Sequence, residues 1–145
     1  MSQGHFTVLI VNSDPGMREL LCEKVSLMGF SSQRSESIRC ALKKIADLEV
    51  DAIVCDETLK DGNGIELIER LKALGSHIPT AILLSGNPNL SEISALARGA
   101  EVAFQKPFGL QDFADGVRSL VQQDHFNEQI EWSLRDNIQN SPHTA

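Results

Sequence analysis

The sequence predicts an α/β fold built on a parallel sheet, and three observations carry that prediction. Short apolar, β-rich runs alternate five times with longer amphipathic stretches, the pattern of parallel strands joined by crossover helices. One of these runs, Ala52 to Cys55, is continuously apolar, as expected of a strand covered by helices on both faces. Glycine or proline stands at the joints, at Pro15, Gly29, Gly75, Gly99 and Pro107, where helices begin or end, and at Pro79, which leads into a strand.

The elements follow in order. The first strand is Phe6 to Val11, and Pro15 opens a helix with Met17, Leu20, Leu21, Val25 and Met28 at helical spacing, closed by Gly29. A second strand near Phe30 to Arg34 is polar, which predicts a sheet edge. The helix after it carries Ile38, Ala41, Leu42 and Ile45 on one face. The third strand stops at Asp56, and after the loop D-G-N-G come Ile65, Leu67, Ile68, Leu71 and Leu74 of a third helix, ending at Gly75. Strand four runs from Thr80 to Leu84, followed by a short helix over Asn89 to Arg98. Strand five is Glu101 to Gln105, and a fifth helix after Pro107 carries Leu110, Phe113, Val117, Leu120 and Val121. Beyond it, Phe126, Ile130, Leu134 and Ile138 recur at helical spacing with Trp132 near them. The expected organisation is therefore a domain over 1–123 and a C-terminal helical extension or linker over 124–145, whose apolar stripe packs on its own domain or on a second copy in a homodimer.

Bulk properties narrow the function classes. At 145 residues the chain fits one domain that buries roughly 70% of the surface exposed when unfolded. A net charge of -7 argues against direct nucleic-acid binding, which needs clustered Lys and Arg. Cys22, Cys40 and Cys55 lack zinc-site spacing, so they read as small apolar filler and reduced thiols of a cytoplasmic protein. Residues 1 to 11 have no basic stretch ahead of a long apolar run, and no membrane-length apolar segment occurs. The P-loop, the complete dinucleotide-binding glycine pattern and H-E-x-x-H are absent, and His5, His77, His125 and His143 are scattered. An enzyme or cofactor binder is thereby disfavoured.

In an open parallel sheet, ligands collect outside the carboxyl ends of the strands. Those ends carry Asn12-Ser13-Asp14, Asp56, Ser85-Gly86 and Lys106-Pro107. Each alone has an ordinary reading as turn or cap. Together, a carboxylate, a hydroxyl and an ammonium from separate strand ends suit phosphoryl transfer to an Asp.

At these positions the chain resembles a CheY-like receiver domain of two-component response regulators, over about residues 5 to 123. The motifs are V-L-I-V-N-S-D-P, D-E-T-L-K-D-G-N-G from Asp56 to Gly64, P-T-A-I-L-L-S-G ending at Ser85-Gly86, and G-A-E-V-A-F-Q-K-P-F. The resemblance implies a doubly wound, flavodoxin-like five-stranded sheet in the order 2-1-3-4-5. It also implies a phosphorelay role in signal transduction rather than an enzyme activity. Asp56 would accept a phosphoryl group from a histidine kinase or phosphotransfer protein, Ser85 would hydrogen-bond that group and Lys106 would pair with it. Asp56 and the Thr58 backbone carbonyl would ligate Mg2+, and Lys106-Pro107 would be a cis junction. A protein output partner would meet the face of helix four, strand five and helix five.

Two departures from the family pattern matter. Its metal-holding acid pair is here Asn12 and Ser13, with Asp14 one place further on. Asn12 and Ser13 could reach the Mg2+ hydration shell only without negative charge. A unit charge pair 4 Å apart is worth up to about 4 kcal/mol at an effective dielectric near 20, so losing half of it predicts metal binding roughly 30-fold weaker. The other departure is Ala103, where the family has an aromatic switch residue; Phe104 beside it falls on the opposite face of a strand. Lys60 and Glu57 are milder differences, Glu57 reading as a neutral surface choice. The competing function is a metal-poor pseudo-receiver, a protein-interaction module that binds without being phosphorylated.

Overall fold

The computed structural model describes residues 6–74, 79–87, 89–90 and 92–121. The strands β1 (Thr7–Val11), β2 (Ser31–Ser35), β3 (Ala52–Asp56), β6 (Thr80–Ser85) and β7 (Val102–Gln105) form one sheet in the order β2-β1-β3-β6-β7. Every pairing in it is parallel. The short strands β4 (Thr58–Leu59) and β5 (Gly62–Asn63) form a separate antiparallel pair. With that pair set aside, the order is the expected 2-1-3-4-5. The helices are α1 (Pro15–Leu27), α2 (Ile38–Asp47), α3 (Gly64–Ala73) and α4 (Glu92–Ala97).

Burial explains the order. All five residues of β3 are buried, as the centre of a doubly covered sheet requires. β2, with the sequence Ser-Ser-Gln-Arg-Ser, takes the edge. On one face Leu9, Val11, Ile53, Cys55, Ala81 and Leu83 pack with residues of α2, α3 and α4. Side-chain alternation sends Val8, Ile10, Val54, Ile82 and Leu84 to the other face, where all are fully buried. The apolar side of α1, Leu21, Cys22 and Val25, is buried as well, and α1 packs on β1 and β2. Leu20 and Leu74, which helical spacing assigned to apolar faces, are exposed. Leu21 takes the inward position beside Leu20, and Leu74 is the C-cap of α3 rather than part of its last turn.

Polar side chains fix where the helices start. Asp14 caps α1 by accepting from Gly16 N, Ser37 caps α2 through Cys40 N, and Asn63 caps α3 through Ile65 N. Asp61, in the turn between β4 and β5, adds a second cap to α2, accepting from Ile38 N at 2.8 Å and Arg39 N at 3.1 Å.

The chain divides into two compact units, Met1–Leu110 and Gln111–Ala145. All seven strands and α1 to α4 belong to the first. A helical stretch covers 110–121, with Phe113, Ala114 and Val117 buried at amphipathic spacing. The extension expected over 124–145 lies outside the described residues. Among the described residues, no helix is long and apolar enough to cross a membrane.

Candidate functional site

The sheet delivers its candidate side chains at the carboxyl ends of three adjacent strands. β3 ends on Asp56, β6 ends on Ser85, and Lys106 follows the last residue of β7. Asp56 pairs with Leu84 and Ser85 with Gln105, and Lys106 N donates to the Ser85 carbonyl at 2.7 Å. Asp56 is 6% exposed. Its Oδ2 accepts from Lys106 Nζ at 2.6 Å, and its Oδ1 accepts from Thr58 N at 3.3 Å. A carboxylate this deep needs a charged or hydrogen-bonding partner, and Lys106, whose side chain is about a third exposed, supplies one. The Lys106-Pro107 peptide is cis. Met17, Gly86, Lys106, Pro107 and Phe108 line an open cavity of about 440 Å³ that leads to this ammonium.

The turn after Asp56 depends on close backbone approach. Gly64 N donates to the Glu57 carbonyl at 2.7 Å. A β-carbon at Gly64 would overlap the Asp56 carbonyl oxygen and stand 2.8 Å from Cys55 Sγ. Glycine is the residue that lets α3 start this close to the acidic strand end.

Ser85 makes two hydrogen bonds at its strand end. Its Oγ donates to Glu57 Oε1 at 2.5 Å and accepts from Asn87 N at 3.0 Å. Glu57 is 7% exposed, so it is not the surface residue the sequence suggested. Register gives the reason. Glu57 N donates to Leu84 O at 2.7 Å, extending the β3-β6 ladder by one step beyond the Asp56-Leu84 pair. Glu57 therefore stands beside Ser85 on one face of the sheet, while Asp56 belongs to the other. The clue available in the sequence was position: a residue directly after a fully apolar strand is still within reach of the next strand's end.

At the end of β1, the three polar residues are occupied by structural bonds. Asn12 is 2% exposed. Its Oδ1 accepts from Asp14 N at 2.9 Å, and its Nδ2 is buried without a partner. Ser13 Oγ donates to the Glu36 carbonyl at 3.0 Å and accepts from Lys60 N at 2.9 Å, joining three loops. Asp14 is the α1 cap. Arg18 donates to the Asn12 carbonyl at 2.8 Å.

These residues fit Mg2+ poorly. The ion wants several hard oxygen ligands in octahedral arrangement. The side chains at these strand ends offer one carboxylate, Asp56, already bonded to Lys106, beside the uncharged Asn12 and Ser13. Turning the Asn12 amide to present its oxygen would leave Asp14 N facing an NH2 group, two donors together. Among the described residues no three His, Cys, Asp or Glu side chains gather as a metal cluster.

Burial pushes the Cys55 thiol well above its ordinary range, with the Asp56 charge adding to the effect. Cys22 is raised too, chiefly by burial. Neither is a thiolate nucleophile at neutral pH. Ala103 packs against the core on the α2-α3-α4 face, whereas the Phe104 ring lies 5.8 Å from that of Phe108. The aromatic neighbour does not fill the Ala103 position.

The model of the response regulator receiver domain matches residues 8–118. The response regulator MprA of Mycolicibacterium vanbaalenii is 29% identical over 114 residues, covering 79% of this chain and 49% of that protein. The chain thus spans about half the length of the curated relatives it matches. A CheY-like receiver domain protein from Methanospirillum hungatei superposes with a TM-score of 0.78 at 20% identity, over 85% of this chain and 98% of that one. The receiver domain of Francisella response regulator 1452 gives a TM-score of 0.76 at 22% identity, over 83% and 99%. These two likenesses concern the fold.

Proposed function

The chain belongs to the response regulator receiver domain family, and from that premise we propose that Asp56 is its phosphoryl acceptor and Lys106 the cation that neutralises the transferred group. The observation that carries this reading is the 2.6 Å contact between Lys106 Nζ and Asp56 Oδ2 at the end of the central strand. The donor is a histidine kinase or a phosphotransfer protein, reaching the site past the cavity at Lys106. An Asp56 oxygen attacks phosphorus, the N–P bond of the phosphohistidine breaks, and the imidazole leaves with the electron pair and takes up a proton. The product is an aspartyl phosphate.

Charge supports this assignment. The phosphoryl group arrives as an anion, and preorganised donors stabilise charge in a water-poor site far better than in bulk solvent. Lys106 is already aimed at the acceptor. Mg2+ would meet only Asp56, the Thr58 carbonyl and weak contributions from Asn12 and Ser13, so its affinity is low and phosphorylation slow. The chain then works as a signalling module rather than an enzyme. Its output partner meets α4 and β7, where Ile93 and Leu96 of α4 are exposed.

The test is incubation with acetyl phosphate, with and without Mg2+, followed by intact mass measurement. The wild type should gain one phosphoryl group and Asp56→Asn none. A wild type that gains nothing under either condition contradicts the reading and leaves a pseudo-receiver that acts by binding alone.

A further inference from the structure

We propose that Glu57 is a positioning residue that holds the Ser85 hydroxyl away from the phosphoryl site in the resting state. This inference rests on the reading of Asp56 as acceptor. A serine hydroxyl has one proton to donate. In this structure Ser85 gives it to Glu57 Oε1 at 2.5 Å, the short end of the range for a hydroxyl donor. The same proton cannot also bind a phosphoryl oxygen on Asp56.

The surroundings limit how the exchange takes place. The Ser85 carbonyl accepts from Lys106 N at 2.7 Å, and Glu57 N donates to Leu84 O at 2.7 Å. The backbones of Glu57 and Leu84 and of Ser85 and Lys106 are thus tied in pairs, so the exchange falls to the Ser85 side chain and to the residues after it, where Asn87 N donates to the same hydroxyl. When it leaves, Glu57 remains a buried carboxylate without that donor. Such a group is costly. Glu57 therefore opposes phosphorylation through Ser85 and favours the unphosphorylated form, while Lys106 acts on Asp56 directly.

Acetyl phosphate labelling rates, read by intact mass, test this in four variants: Glu57→Ala, Glu57→Gln, Ser85→Ala and the double variant Glu57→Ala with Ser85→Ala. Removing a hydrogen bond to a charged group should speed labelling about tenfold in Glu57→Ala. A neutral amide oxygen holds the hydroxyl about half as strongly, so Glu57→Gln should gain about threefold. That near-isosteric variant keeps the test decisive should Glu57→Ala fold poorly. In the Ser85→Ala background the Glu57→Ala gain should vanish. An unchanged or slower rate in both Glu57 variants overturns the inference, as does the same gain with Ser85 absent. Labelling that needs Asp56 but ignores Glu57 leaves the acceptor reading standing, whereas no labelling in any variant removes both.

Discussion

Gly64 sits so close to Asp56 that a β-carbon at residue 64 would overlap the Asp56 carbonyl oxygen. The first residue of α3 and the last residue of β3 are thereby in direct backbone proximity, and the Gly64 N–H closes the turn on the Glu57 carbonyl. The position of Asp56 and the start of α3 are one geometric fact.

Gly64→Ala should therefore destabilise the domain by about 1–3 kcal/mol, the usual cost of forcing extra carbon into packed structure. The added methyl meets backbone, which cannot swing aside as a long side chain does. Urea denaturation monitored by circular dichroism measures the effect. A midpoint equal to that of the wild type would show that the turn has more room than the structure indicates.

Asn12→Asp should strengthen Mg2+ binding. A carboxylate still accepts the Asp14 N–H that the Asn12 oxygen accepts now, and it replaces an unpartnered buried NH2 with a second charged oxygen. Recovering about half of a 4 kcal/mol charge interaction corresponds to roughly 30-fold tighter binding. Calorimetric titration compares the two proteins; equal affinities would mean the Asn12 position does not face the ion.

Asp61 predicts a pH signature. The N–H groups of Ile38, first, and Arg39 hold its carboxyl below its ordinary value. A folded-state value lowered in this way contributes stability at pH above the unfolded value of about 3.9, and that stability is lost as pH falls through the folded value. Asp61→Ala should cost about 0.5–1 kcal/mol near neutral pH, typical of an exposed cap, and the gap to the wild type should close in acid. A gap that is constant with pH would assign the loss to packing instead of charge.

Much of the fold was legible because its signals are local. The continuous apolar run Ala52 to Cys55 marks the buried central strand, the polar Ser31–Ser35 marks the edge, and Asp14, Ser37 and Asn63 are cap residues where caps belong. The β4-β5 pair was not legible, since two-residue strands carry no periodicity. The helix expected over Asn89 to Arg98 is helical over Glu92–Ala97, shorter because propensity marks its ends poorly.

The site divides along the same line. Asp56, Ser85 and Lys106 stand at strand ends that the sequence marks, and the contact of Asp56 with Lys106 follows from topology. Ser13 bonds to Glu36 and Lys60, partners far away in the chain that no local pattern names. Glu57 was read as a surface residue because acidic residues usually are; its place beside Ser85 emerges only from the β3-β6 register.

The central claim is that Lys106 neutralises an anion formed on Asp56, and the direct measurement is the rate at which Lys106→Ala gains a phosphoryl group from acetyl phosphate. The account predicts a rate about a hundredfold below that of the wild type, the usual effect of removing one preorganised donor from developing charge. Circular dichroism should show the variant still folded. A folded Lys106→Ala protein labelled as fast as the wild type would contradict the claim.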